Sequence, residues 1–198
     1  MQNGTEQELL IRRCQEGDKV AFAQLVRANQ QTVFNLLYRL IPDWMDLEDI
    51  SQDVWVKVYQ SIGRMKNYAS FKTWLHRIAV NTYYDRMRKF GHRVEVSLDE
   101  PINEEEEQVL DLPDTRLLPE DLLLNAEWKN YVEEKIKALP EQHRLMVVMR
   151  DVQNLSYDEI AEVTGLSLGT VKSRIARARE KLISELSEYF KEVKVDVS

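Results

Sequence analysis

Residues 64–93 hold eight lysines and arginines against one acid, Asp85, interleaved with Tyr68, Phe71, Trp74, Tyr83, Tyr84 and Phe90. Cationic side chains attract phosphates, and rings stack on unpaired bases. A surface of this composition suits single-stranded nucleic acid. Within it Lys72, Arg77 and Arg88 supply charge, Trp74 a ring and Asn81 an amide. The loop Asn-Tyr-Ala-Ser-Phe-Lys over 67–72 adds Asn67 and Tyr68. Such a loop can form a pocket for a base drawn out of a duplex, at a cost of roughly a few kcal/mol in lost stacking. Phe71 belongs to the core by its spacing. Trp74 fits a core position and a base-stacking position equally well.

A second constellation spans Leu155 to Arg179. Ser156 with Glu159 three residues later makes a capping box at the start of a short helix. Ile160, Ala161 and Val163 form that helix's apolar side, and Gly165 permits a sharp turn. Ser167 caps a second helix whose core side is Val171, Ile175 and Ala178. This is the pattern of a helix-turn-helix, in which the early residues of the second helix meet base edges in the major groove. Those residues are Gly169, Thr170, Lys172, Ser173, Arg174 and Arg177. Small residues allow close approach, and Lys and Arg reach guanine or phosphate. The bland alternative is a helical hairpin with a solvated basic face.

A third stripe is acidic. Asp49, Gln52 and Asp53 stand at i, i+3, i+4 and so share one helix face. Such a face can dock a basic partner, and it can equally be ordinary solvated surface. No paired-carboxylate pocket, nucleophile motif or phosphate loop accompanies these features, so the chain does not read as an enzyme. His76, His92, His143 and Cys14 are too scattered to form a metal site, and no cofactor is expected.

The elements that must position these groups are helices. Apolar residues recur at helical spacing through Ala21–Val26, Val33–Ile41 and, from Asp46, Leu47, Ile50, Val54 and Val58. Thr5 is a candidate cap for the first helix, Gly17-Asp18 a break, and Pro42-Asp43 a stop. A further helix is expected from about Phe71 to Phe90, with Gly91 as its stop. The second half predicts helices over about 124–138, 141–152, 156–164 and 168–189. The expected fold is all-α: two small helical domains, 1–93 and 122–198, joined by a flexible acidic linker, 94–121.

Charge supports that division. The chain of 198 residues carries a net charge of −7, yet residues 64–93 sum to +7, residues 95–121 to −10 and residues 166–181 to +4. Two basic blocks are separated by an acidic one. The linker, with Glu104–Glu107 and three prolines, would leave the orientation of the two domains loose. The N-terminal residues lack the basic and apolar regions of a signal peptide, and Leu145–Met149 is far too short to cross a bilayer. A cytoplasmic protein with no membrane insertion is expected. Cys14 is expected to be a small core residue.

In this order the pieces resemble the extracytoplasmic-function (ECF) sigma factors of the sigma-70 family. Asp46-Leu-Glu-Asp-Ile-Ser-Gln-Asp-Val-Trp55 resembles sigma region 2.2, and Phe71–Arg88 resembles regions 2.3–2.4. Leu139-Pro-Glu-Gln-His-Arg144 and the helix-turn-helix resemble region 4. The resemblance implies that Asp49, Gln52 and Asp53 bind core RNA polymerase, whose β and β′ subunits receive the factor. It implies that Asn67, Tyr68, Lys72, Trp74, Arg77, Asn81 and Arg88 melt and read the −10 element as a single strand. It assigns Thr170, Lys172, Ser173, Arg174 and Arg177 to the duplex −35 element. It also implies an anti-sigma factor as inhibitor. Self-inhibition by the acidic linker folding over the basic surfaces is the alternative device. In this family the linker threads toward the polymerase active-site and exit channels, so it reads as more than a tether. The competing function is a two-domain helix-turn-helix regulator of duplex DNA, which has no use for a strand-opening surface.

Overall fold

The computed structural model describes residues 2–43, 45–90 and 126–195, and these are helical, with no strand among them. Helix α1 is Gln2–Gln15, α2 Lys19–Leu40 and α3 Leu47–Ser61. Two 3₁₀ turns, Ile62–Arg64 and Tyr68–Ser70, lead into α4, Phe71–Lys89. After the gap come α5, Ala126–Ala138, and α6, Glu141–Val147. A π-helical turn, Val148–Val152, leads to α7, Tyr157–Thr164, and α8, Leu168–Val195. The acidic segment 94–121 and the Gly91 stop lie outside the described residues.

The punctuation follows local chemistry. Gly17 has φ 88°, a left-handed conformation that a Cβ disfavours. Asp18 then caps α2, its Oδ1 accepting from Val20 N at 2.8 Å and Ala21 N at 3.0 Å. These backbone bonds, with Arg13 beside them, hold the Asp18 carboxyl below its usual range. Asp46 caps α3 in the same way. α1 runs through Thr5 instead of starting after it, since a capping residue is a preference and not a stop. α8 runs to Val195, beyond the expected 189, because nothing after Gly169 is Gly or Pro.

α2 buries Leu25, Val33, Leu36, Leu37 and Leu40, α3 buries Ile50, Val54 and Val58, and α4 buries Phe71, Leu75 and Tyr83. Each large apolar side chain contributes about 1.5–3 kcal/mol when fully buried. Cys14 is buried as expected, and burial pushes its thiol up.

The two halves are not loose. Their buried apolar residues belong to one cluster that includes Phe71 and Tyr83 from the first and Met146, Val148 and Leu155 from the second. α2 packs on α5, α6 and the π turn, and α4 packs on α7. Arg39 pairs with Glu133. Lys137 lies 3.5 Å from Asp43 and 4.1 Å from the Tyr38 ring centre. The expectation of a free orientation considered only charge and linker length. It missed the apolar faces of α2 and α6, which have each other to cover.

Candidate nucleic-acid interface

The helix-turn-helix forms as its sequence dictates. Ser156 Oγ accepts from Glu159 N at 3.2 Å, and Glu159 Oε2 accepts from Ser156 N at 2.7 Å. Bonds from the cap hold the Glu159 carboxyl below its usual range. Gly165 ends α7 at φ 73°. Ser167 Oγ accepts from Thr170 N at 3.1 Å, which starts α8. Lys172 and Arg177 project outward at the start of α8, and Ser173 Oγ turns back to the Thr170 carbonyl at 3.1 Å. Arg174 is different. It is 7% exposed, in line with Val171, Ile175 and Ala178, and near enough to Tyr84 to bias its ionisation. As the halves are packed, Arg174 is withdrawn from any base edge, which corrects its assignment as an exposed reader.

In the first half, the expected −10 residues cluster on α4 and the loop before it. Asn67 Oδ1 accepts from Ala69 N at 3.2 Å and so shapes the loop. Tyr68 donates to Gln15 Oε1 at 2.9 Å, and Arg12 lies 5.5 Å from its ring centre. α1 therefore covers the back of the loop. Trp74 serves both alternatives, being half-buried against Phe71 with ring centres 5.8 Å apart. Asn81 and Arg88 are exposed, and Arg88 pairs with Asp85 at 2.5 Å.

Lys72 and Arg77, however, face the second half. Lys72 Nζ donates to the Gln153 carbonyl at 2.9 Å, and Arg77 lies 4.0 Å from Glu162. Between them Thr73 donates to Glu159 Oε1 at 3.1 Å. His76 donates from Nδ1 to the Lys72 carbonyl at 2.7 Å, and its Nε2 is 3.2 Å from the Gln153 side-chain amide. The His76 side chain is 1% exposed, and burial pushes its imidazole below the ordinary range, against those hydrogen bonds. Burial also pushes the Tyr83 and Tyr84 phenols up, with Glu141 nearby adding to the shift.

The acidic stripe lies on α3 beside α4. Asp49 and Gln52 are exposed and Asp53 half-buried. Arg86 of α4 clasps both acids, donating from Nε to Asp53 Oδ2 at 2.7 Å and from Nη2 to Asp49 Oδ2 at 2.6 Å. Asp53 bonding above all, then Asp49, raises the Arg86 pKa further. The other carboxylate oxygens remain available to a partner.

Residues 25–93 match Sigma-70 region 2, and residues 129–182 match Sigma-70, region 4. The chain is 34% identical over 182 residues to the ECF RNA polymerase sigma factor SigW of Bacillus subtilis, across 90% of this chain and 95% of that protein. It is 35% identical over 175 residues to the ECF RNA polymerase sigma-E factor of Escherichia coli, across 88% of this chain and 91% of that protein. The chain belongs to the ECF sigma factors of the sigma-70 family. It is an RNA polymerase sigma factor, a transcription initiation factor and not an enzyme, and it serves core polymerase at promoters. Two solved structures share the fold of this sigma factor. One is CnrH in complex with the cytosolic domain of CnrY, at 24% identity and TM-score 0.62, covering 92% of this chain and 97% of that one. The other is the sigma factor RpoE with the anti-sigma factor NepR from Bartonella quintana, at 23% and 0.61, covering 84% and 96%.

Sequence reasoning placed the sigma factor's DNA-facing helices but missed the groups that engage them. Thr73, His76, Arg86 and Gln153 were not singled out. Their partners lie tens of residues away, 77 in the case of His76 and Gln153, so no local spacing announces them.

Proposed function

We propose that α3 docks the β and β′ subunits of core polymerase through Asp49, Gln52 and Asp53. α4 and its preceding loop then open and hold the −10 strand, and the start of α8 reads the −35 duplex. The carrying observation is the placement of the basic and aromatic side chains of α4 directly beside the acidic face of α3, joined by Arg86. Strand opening would thus occur against the docked polymerase. Residues 1–93 and 122–198 act as the two functional domains, and the acidic segment 94–121 runs between them along the polymerase. The chain works in the cytoplasm. An anti-sigma factor restrains it, in line with the partners named for the two related folds. Among the described residues no helix is long and apolar enough to cross a membrane.

The test is reconstitution with core polymerase and a promoter selected by that holoenzyme. Trp74→Ala, or Lys72→Ala with Arg77→Ala, should reduce permanganate reactivity of the −10 thymines more than it reduces initial closed binding. Equal loss at both stages would overturn the strand-opening role.

A further inference from the structure

The face of α4 that carries Lys72, Thr73, His76 and Arg77 is already occupied. Its occupants are the Gln153 main-chain carbonyl on Lys72, the Glu159 carboxylate on Thr73 and the Glu162 carboxylate beside Arg77. Glu159 and Glu162 stand at i, i+3 and so share an edge of α7. Chemically this edge offers what a nucleic-acid strand offers. Anionic oxygens face cationic side chains, and a neutral carbonyl acceptor stands where a base or sugar oxygen would. The contact is built and not incidental. Thr73, His76 and Gln153 are all buried at its centre, and the Gln153 amide also donates to the Thr32 carbonyl at 3.4 Å. Closure also buries Arg174 of the recognition helix.

We propose that the acidic edge of α7 is an intramolecular competitor of single-stranded DNA for the α4 face. In the closed chain, region 4 occupies with Gln153, Glu159 and Glu162 the positions that the strand's oxygens take when the chain is open. One closure therefore masks both promoter contacts, withdrawing Lys72 and Arg77 from the strand and Arg174 from the duplex. This device differs from a linker folding over the basic surfaces, because its charges sit on the first helix of the helix-turn-helix. The inference rests on the reading of α4 as the −10 face.

For such a competition the apparent affinity equals the intrinsic affinity multiplied by the open fraction. The probe is a fluorescein-labelled single-stranded oligonucleotide of mixed A/T sequence and about twelve nucleotides, titrated with the full chain at fixed salt. Glu159→Gln with Glu162→Gln should tighten binding roughly three- to thirtyfold, as an open state of a few to some tens of per cent becomes dominant. Glu162→Lys should do the same without touching the α7 cap. The converse arm locks the closed state. Thr73→Cys with Glu159→Cys is joined by a short bismaleimide, which the buried Cys14 does not intercept. The crosslinked chain should lose oligonucleotide binding, while the same protein before crosslinking retains it. Equal binding by locked and unlocked chains would overturn the competition and leave the α4 reading standing. If Lys72→Ala with Arg77→Ala has no effect on binding in the Glu162→Lys background, the α4 reading itself falls, and the inference with it.

Discussion

Removing the Asp49 and Asp53 carboxylates would weaken polymerase docking, but it would also break the clasp that Arg86 makes on them. Substitution of Arg86 separates the two effects. Its guanidinium is 23% exposed, and the acids are 56% and 43% exposed. Pairs this open contribute about 0.2–1 kcal/mol each. Without Arg86 the acids become like charges at i, i+4, which costs about 0.2–0.5 kcal/mol more. Arg86→Ala should therefore lower stability by about 1.5 kcal/mol, a drop in Tm of about 3–6 °C for a chain of this size. Asp49→Ala with Asp53→Ala loses the same clasp, so its Tm should fall by a similar amount. Only the acid pair loses groups offered to polymerase. A hydrogen bond to a charged group is worth about 1.5–3 kcal/mol, so the acid pair should weaken core binding by about tenfold to a hundredfold. Arg86→Ala should leave it within about threefold, the span of roughly 0.6 kcal/mol. Thermal melts and titration of labelled sigma factor with core polymerase give both numbers. If Arg86→Ala weakens core binding as much as the acid pair, the carboxylates serve the fold and the docking assignment is wrong.

Ser156→Ala removes the α7 cap and should cost about 0.5–2 kcal/mol, read as a lower Tm of the whole chain. Closure should also respond to pH through His76, which faces Lys72 from its own helix and Gln153 and Glu159 from the second half. Its imidazole lies below 6.5 when buried and returns toward 6.5 when exposed. The open state therefore binds the extra proton, and closure weakens as pH falls through 6.5. Fluorescence transfer between dyes on α1 and α8 should drop over that window, and His76→Gln should flatten the response. On α8, Arg177→Ala should weaken −35 binding and, if Arg177 meets phosphate, reduce the salt slope by about one. Arg174→Ala should instead lower the Tm of the free chain, measured in the same melts.

Local signals were legible in the sequence wherever a residue's job is done within one turn of its own helix. The Ser156–Glu159 box, the Gly165 turn, the Asp18 cap and the apolar stripe of α3 all stand where spacing placed them. Arg174 shows where that logic stops. On a wheel it sits between Ile175 and the outward Lys172, and only the approach of α4 with Tyr84 decides that it is covered. Helix 141–152 fails for a related reason. Its pattern is continuous, but Gln153 N reaches back to the Val148 carbonyl at 2.9 Å, five residues away, and the last turn widens. Lys72 and Arg77 were correctly seen as cations, yet their partners belong to the far half of the chain.

That widened turn ties the molecule's regulation to its reading frame of helical register. A π turn holds one residue more than the α turn it replaces. Losing a single residue between Val148 and Val152 would restore α spacing and rotate everything after it by about 100°. Gln153 would swing away from His76 and Lys72, while the helix-turn-helix beyond would keep its internal contacts. In-frame loss of one codon is a common mutational event. A lineage could thus pass from a self-masked to a constitutively open factor in one step, with no change to any residue that touches DNA or polymerase.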